Sequence, residues 1–173
     1  MGEVIVITSG KGGVGKSNIA VNLAVQFQRM GLKPIIFDAD IGLANVDVMF
    51  GTIPQYSLND LIYHDKEIEE IITDGPEGVG FISGGSGIMG LSNLTLDQIS
   101  YLVKSVEKLS VIADIVIVDT GAGISDSVME FVASSPEILL VTTPEPSSLT
   151  EAYSLCFRFP WKQNCSSRRN HNC

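Results

Sequence analysis

The sequence predicts an α/β fold, a mostly parallel β-sheet with helices on both faces. Three observations carry this reading. Short apolar runs recur within Glu3–Thr8, Pro34–Asp38, Asp114–Asp119 and Glu137–Thr142, and runs without polar alternation belong to strands buried on both sides. Between them lie stretches of helical period, and strands alternating with amphipathic helices imply crossover connections and a covered sheet. Finally, a glycine cluster, Gly10-Lys11-Gly12-Gly13-Val14-Gly15-Lys16-Ser17, stands between the first strand and the first helix.

The elements follow in order. Glu3–Thr8 is the first strand. Lys16–Met30 carries Ile19, Leu23, Phe27 and Met30 on one helical face, and Gly31 is placed to end it. Pro34–Asp38 is the second strand. Ser57-x-x-Asp60 and Thr95-x-x-Gln98 have the form of helix capping boxes. The second opens a helix with Ile99, Leu102, Val103, Val106 and Leu109 on one side. Val79–Ser83 is a further strand flanked by glycines. Asp114–Asp119 and Glu137–Thr142 are buried strands, with a helix from about Ser125 to Ala133 between them. His64–Glu70 reads as an acidic, helix-like surface stretch, and His64 has no partner at metal-ligand spacing.

The bulk composition bounds the function. The 173 residues are 45% apolar and 18% charged, the profile of one folded domain. A net charge of −9 excludes a general nucleic-acid binder, because phosphate backbones are held by Lys and Arg. No apolar run reaches the roughly 20 residues that cross a bilayer, and the chain starts directly on a strand-like segment rather than a secretory signal. The expected location is the cytoplasm. Residues 156–173 differ from the rest: they hold Arg158, Lys162, Arg168 and Arg169 with no acid, and all three cysteines. In a cytosolic chain such thiols are incidental rather than bridged.

The glycine cluster follows a strand and opens a helix, which is the context a phosphate-binding P-loop requires. Its glycines let backbone N–H groups turn inward, and the helix N-terminus adds a favourable dipole. Lys16 is placed to reach the β- and γ-phosphates of a nucleoside triphosphate and Ser17 to ligate Mg²⁺. ATP with Mg²⁺ is therefore the expected ligand, and Gly10, Lys11, Gly12, Gly13, Val14, Gly15, Lys16 and Ser17 are the expected cofactor-binding residues. Asp38-Ala39-Asp40 and Asp119–Gly123 end other strands, so three separate stretches converge on one rim of the sheet, where ligands of such folds bind.

Lys11-Gly12-Gly13-Val14-Gly15-Lys16-Ser17 resembles the deviant P-loop of the MinD/ParA ATPases, members of the SIMIBI group of P-loop NTPases. The resemblance implies that Lys11 crosses a dimer interface to the partner's nucleotide, the task an arginine finger performs elsewhere. It implies that Asp40 positions the attacking water, and that Asp38 and Asp119 serve Mg²⁺ from its outer shell. Lys11, Lys16 and Asp40 are then catalytic, and Ser17, Asp38 and Asp119 hold metal. Thr120-Gly121-Ala122-Gly123 corresponds to a second switch.

Gly84–Asn93, Asp119–Ser125 and Thr142–Thr150 are most similar to the FlhG branch, also written YlxH or FleN, which regulates flagellar number and placement. Asp38–Asp47 is shared in style with septum-site MinD, the alternative branch. The resemblance implies an ATP-dependent homodimer, with an FlhF-like GTPase or flagellar basal-body components as partners. It covers residues 3–155, giving a P-loop ATPase domain over 1–155 and a non-family, irregular tail over 156–173. Relatives continue through further strands, adenine-contacting residues and a C-terminal membrane helix. None of these is visible here, so a truncated or shifted reading frame is the expected origin of the tail.

Two other classes compete. A small-molecule kinase needs an acceptor pocket with several arginines, yet only Arg29 precedes residue 158. A nucleotide-sensing interaction module without hydrolysis requires only the loop.

Overall fold

The computed structural model describes residues 2–41, 45–85 and 94–158. Six strands form one sheet: β1 (Glu3–Ser9), β2 (Pro34–Ala39), β3 (Thr73–Asp74), β4 (Gly80–Ile82), β5 (Ile115–Ala122) and β6 (Glu137–Leu140). Among the described residues six α-helices accompany them: α1 (Lys16–Arg29), α2 (Val46–Phe50), α3 (Leu58–Tyr63), α4 (Leu96–Ile112), α5 (Asp126–Ser134) and α6 (Pro146–Arg158). The sheet order is β3-β4-β2-β5-β1-β6. Every pairing is parallel except that of β3 with β4.

The continuous apolar runs are explained by the two cores. Val6, Ile35, Phe37, Ile82, Val116 and Val118 face one side, where α3, α4 and α5 supply Leu58, Leu102, Val106, Val128 and Phe131. Their neighbours Ile7, Ile36, Phe81, Ile115 and Ile117 face the other, against Ala20 and Ala24 of α1 and Val46 of α2. Each strand thus alternates between two buried faces. Phe37 packs on Phe131 of α5 at a centroid distance of 5.8 Å, and Phe81 on Phe50 of α2 at 5.4 Å, one pair on each face.

Both expected capping boxes form. Ser57 and Asp60 close the start of α3, and Thr95 and Gln98 the start of α4. The helix expected from Ser125 is α5, with Ser125 as its N-cap.

Four details depart from the sequence reading. Thr73–Asp74 adds an antiparallel edge strand of two residues, too short to show a period. The stretch His64–Glu70 is not one helix. His64 caps the end of α3, and a separate 3-10 turn spans Ile68–Ile71, closed by Glu67 and Glu70. α6 was not foreseen, although Pro146 sits at its first position, where a missing N–H costs nothing. It runs through Cys156, Phe157 and Arg158, three residues past the boundary expected for an irregular tail, because Ser148, Ala152 and Leu155 continue one buried face. The remaining tail, 159–173, lies outside the described residues, as does most of Gly84–Asn93. Among the described residues no helix is long and apolar enough to cross a membrane.

Candidate functional site

The loop between β1 and α1 has the geometry its glycines require. Gly13 and Gly15 take φ of 75° and 97°, the left-handed region that a side chain disfavours. Gly15 is also the N-cap of α1, so no side chain caps this helix and no acid stands in its first turn. Helices α3, α4 and α5, in contrast, each have a Ser or Thr cap and an acidic first turn. α1 therefore presents uncapped N–H groups and the positive end of its dipole to a cleft of about 940 Å³. Gly12, Lys16, Ser17, Asp40, Gly121 and Asp126 are among the residues lining it. That combination accepts phosphate.

Lys16 is only 8% exposed. Its Nζ donates to Ser9 Oγ at 2.9 Å, and Ser9 Oγ donates in turn to the Lys11 carbonyl at 2.7 Å. The Ser9 carbonyl accepts the N–H of Gly123 at 2.9 Å, joining the P-loop to the loop after β5. Ser9 was not singled out in the sequence; a serine at the end of an apolar strand was its only signal.

Asp38 and Asp119 are direct partners across the β2–β5 pairing and share the face covered by α1. Both are fully buried. Asp38 Oδ2 accepts the N–H groups of Asn45 at 3.0 Å and Val46 at 3.2 Å, and its Oδ1 accepts that of Asp40 at 3.2 Å. Three backbone donors thus hold the Asp38 carboxylate, which anchors the turn leading into α2. Asp119 is the opposite case. The Ser17 hydroxyl and the Lys16 charge favour its ionised form, yet neither carboxylate oxygen has a hydrogen bond of normal geometry. A buried carboxylate without donors, beside a hydroxyl at the foot of a phosphate loop, fits the oxygen ligands that Mg²⁺ demands.

Burial, reinforced by the facing charge of Asp119, pushes the Asp38 carboxyl up to about 7; burial pushes Asp119 up to about 6. Folded values above the unfolded 3.8 mean that the ligand-free fold binds extra protons across this range. The contribution of these two carboxyls to stability is therefore fully present below about pH 4 and is lost as pH rises through 6 to 7. Asp119→Asn is expected to raise ligand-free stability at pH 7.5 by about 1–3 kcal/mol, since each pKa unit is worth about 1.4 kcal/mol. Urea unfolding should find most of that gain gone at pH 4; an equal gain at both values would refute the assignment.

Asp40 is half-buried and lies against the C-terminal end of β5: a Cβ on Gly121 would come within 3.2 Å of Asp40 Oδ1. Asn45 Nδ2 approaches its other oxygen at 3.5 Å. Burial raises the Asp40 pKa and the Lys16 charge opposes the rise. Lys11 stands apart from this group. Its ammonium pairs with Glu145 in the loop before α6 and reaches Ser147 Oγ at 3.3 Å. The Glu145 hydrogen bond raises its pKa. Lys11 thus reaches towards the start of α6, where Gly10 is also pressed: a Cβ there would meet the Glu151 backbone at 2.5 Å. Glu145 and Ser147 were read in the sequence only as part of Thr142–Thr150. His64 pairs with Asp60 at 3.2 Å on the surface, far from any of these groups in role.

The parallel sheet, the uncapped first helix and the lysine-bearing glycine loop define a P-loop NTPase. The chain belongs to the ParA/MinD family: the ParA family model, described as "NUBPL iron-transfer P-loop NTPase", matches residues 1–156. It is 42% identical over 153 residues to the antiactivator FleN of Pseudomonas aeruginosa, covering 88% of this chain and 55% of that protein. It is likewise 42% identical over 153 residues to the flagellum site-determining protein YlxH of Helicobacter pylori, covering 88% and 52%. Among solved structures, the septum site-determining protein MinD of Pyrococcus horikoshii, complexed with Mg-ADP, superposes with a TM-score of 0.81 at 29% identity, covering 91% of this chain and 64% of that one. The chain spans about half the length of the curated relatives it matches.

Proposed function

We propose that the chain binds ATP with Mg²⁺ and hydrolyses it slowly, as a dimerisation switch in the control of flagellar number and placement. The observation that carries this reading is the donor-less carboxylate of Asp119 beside Ser17, at the foot of the P-loop. The flagellar role rests on the likeness to FleN and YlxH. Septum placement is the alternative, supported by the likeness to MinD.

In this reading Gly10–Ser17 wrap the phosphates and Lys16 holds the β- and γ-phosphate oxygens. Ser17 and Asp119 hold Mg²⁺, which neutralises charge on the phosphate oxygens, with Asp38 adding charge from behind. Asp40 orients the attacking water. Lys11 reaches the nucleotide of a second copy across the interface, and FlhF-like GTPases or basal-body components read the ATP-bound dimer. The location is cytoplasmic.

Gel filtration with ATP against ADP tests the switch, and a monomer under both conditions counts against it. Flagellar counts in cells carrying an Asp40→Ala allele separate the two branches: abnormal flagellation supports the first, minicells the second.

Because Lys11 is held by Glu145, it must leave that pair before it can reach another subunit. Glu145→Gln is expected to shift ATP-dependent dimerisation to a few-fold lower protein concentration, because the exposed ion pair that holds Lys11 is removed. Analytical ultracentrifugation measures the shift. Weaker dimerisation in the variant would mean that Glu145 serves the interface itself.

A further inference from the structure

We infer that Ser9 is a positioning residue for Lys16, holding its ammonium ready for phosphate without neutralising it. The inference rests on the reading of Lys16 as a phosphate-binding group and extends it to the residue that orients it. A buried ammonium needs an acceptor, and a carboxylate is the usual one. Asp40 and Asp119 are close enough for the charge of Lys16 to oppose the rise that burial causes in their pKa values. Yet the hydrogen bond from Nζ goes to the neutral hydroxyl of Ser9, at 2.9 Å and buried.

The direction of that bond is fixed by what Ser9 does with its own proton. A serine hydroxyl has one proton to give, and Ser9 gives it to the Lys11 carbonyl at 2.7 Å. Its lone pairs are left for Lys16. The chain Lys16 Nζ–H to Ser9 Oγ–H to Lys11 carbonyl therefore closes the P-loop on itself, joining its first turn to the start of α1. The Ser9 carbonyl binds the N–H of Gly123, so the same residue also ties this closure to the loop after β5.

Ser9 sits where the β1–β5 register shifts, between the Ile7–Asp119 and Ser9–Ala122 pairings. With a carboxylate as partner, Lys16 would have to break a charged pair to take a phosphate. From a hydroxyl it exchanges a neutral acceptor for a charged one, a change in favour of the ligand.

Ser9→Thr and Ser9→Val test this as a pair, because they share a shape and differ in the hydroxyl. Calorimetry with Mg-ADP on the full chain is expected to give an affinity about ten-fold weaker for Ser9→Val than for Ser9→Thr, the scale of one hydrogen bond to a charged group. Repeated in a Lys16→Ala background, the two should agree within about two-fold, since a residue acting through Lys16 has nothing left to position. A ten-fold gap that persists without Lys16, or no gap with it, overturns the inference. If Lys16→Ala alone leaves Mg-ADP affinity unchanged, the phosphate-site reading fails as well, which distinguishes the two failures.

Discussion

Lys16→Ala is expected to weaken Mg-ADP and Mg-ATP binding by about 100-fold or more, the largest effect of any single substitution in the cleft. The lysine is buried beneath the cleft rim, held by Ser9, and close in charge to Asp40 and Asp119. Its removal acts twice. The phosphate oxygens lose a charged donor, and the two carboxylates lose the cation that moderates their repulsion of an anionic ligand. Calorimetry gives the affinity directly, with circular dichroism as the control for folding. An affinity within about three-fold of wild type would show that the loop backbone alone holds the phosphates. Lys16→Arg is not a conservative control here, because a planar guanidinium cannot occupy the place of a compact ammonium buried beside a serine.

The second large effect is kinetic. Asp40→Ala is expected to reduce phosphate release by about 100- to 1,000-fold, the usual range for a group acting at the attacking water, while nucleotide affinity changes by only a few-fold. The separation follows from its position. Asp40 borders the cleft and Gly121 of β5, whereas Asp38, two residues earlier and within β2, is spent on backbone donors. Removing Asp40 thus takes away a charge at the reacting centre without undoing the anchor of the turn. Single-turnover measurements are the right readout, since they exclude product release. Equal turnover in wild type and variant would sink the hydrolytic reading and favour a nucleotide-sensing module.

The contrast between those two aspartates illustrates why part of the site was legible in the sequence and part was not. The motif Asp38-Ala39-Asp40 marked two acids at a strand end, and the two-residue period of a strand puts both on one side of the sheet. What each carboxylate meets on its face depends on Asn45, Val46 and Gly121, and that is a tertiary matter. Asp119 was readable as a carboxylate at the end of the apolar run Asp114–Asp119, which β5 extends by three residues to Ala122. Its lack of donors and its raised pKa come from the depth at which β2, β5 and α1 enclose it. The short edge strand Thr73–Asp74 left no trace because two residues cannot display a period, and α6 was obscured by the prolines and serines that begin it.

The sequence by itself determined the sheet, its two covered faces and the phosphate loop, because those rest on local patterns: apolar runs, capping boxes and glycines spaced before a helix. Only the tertiary structure decided how the two lysines of that loop are held. Lys16 is bound by a serine seven residues before it, brought round by the turn of the loop. Lys11 is bound by Glu145, which is 134 residues away and meets it only because β6 pairs with β1 and delivers its following loop to the same rim. Hydrogen bonds and ion pairs between distant segments are fixed by strand order, and strand order is set by packing rather than by any pattern a single segment carries.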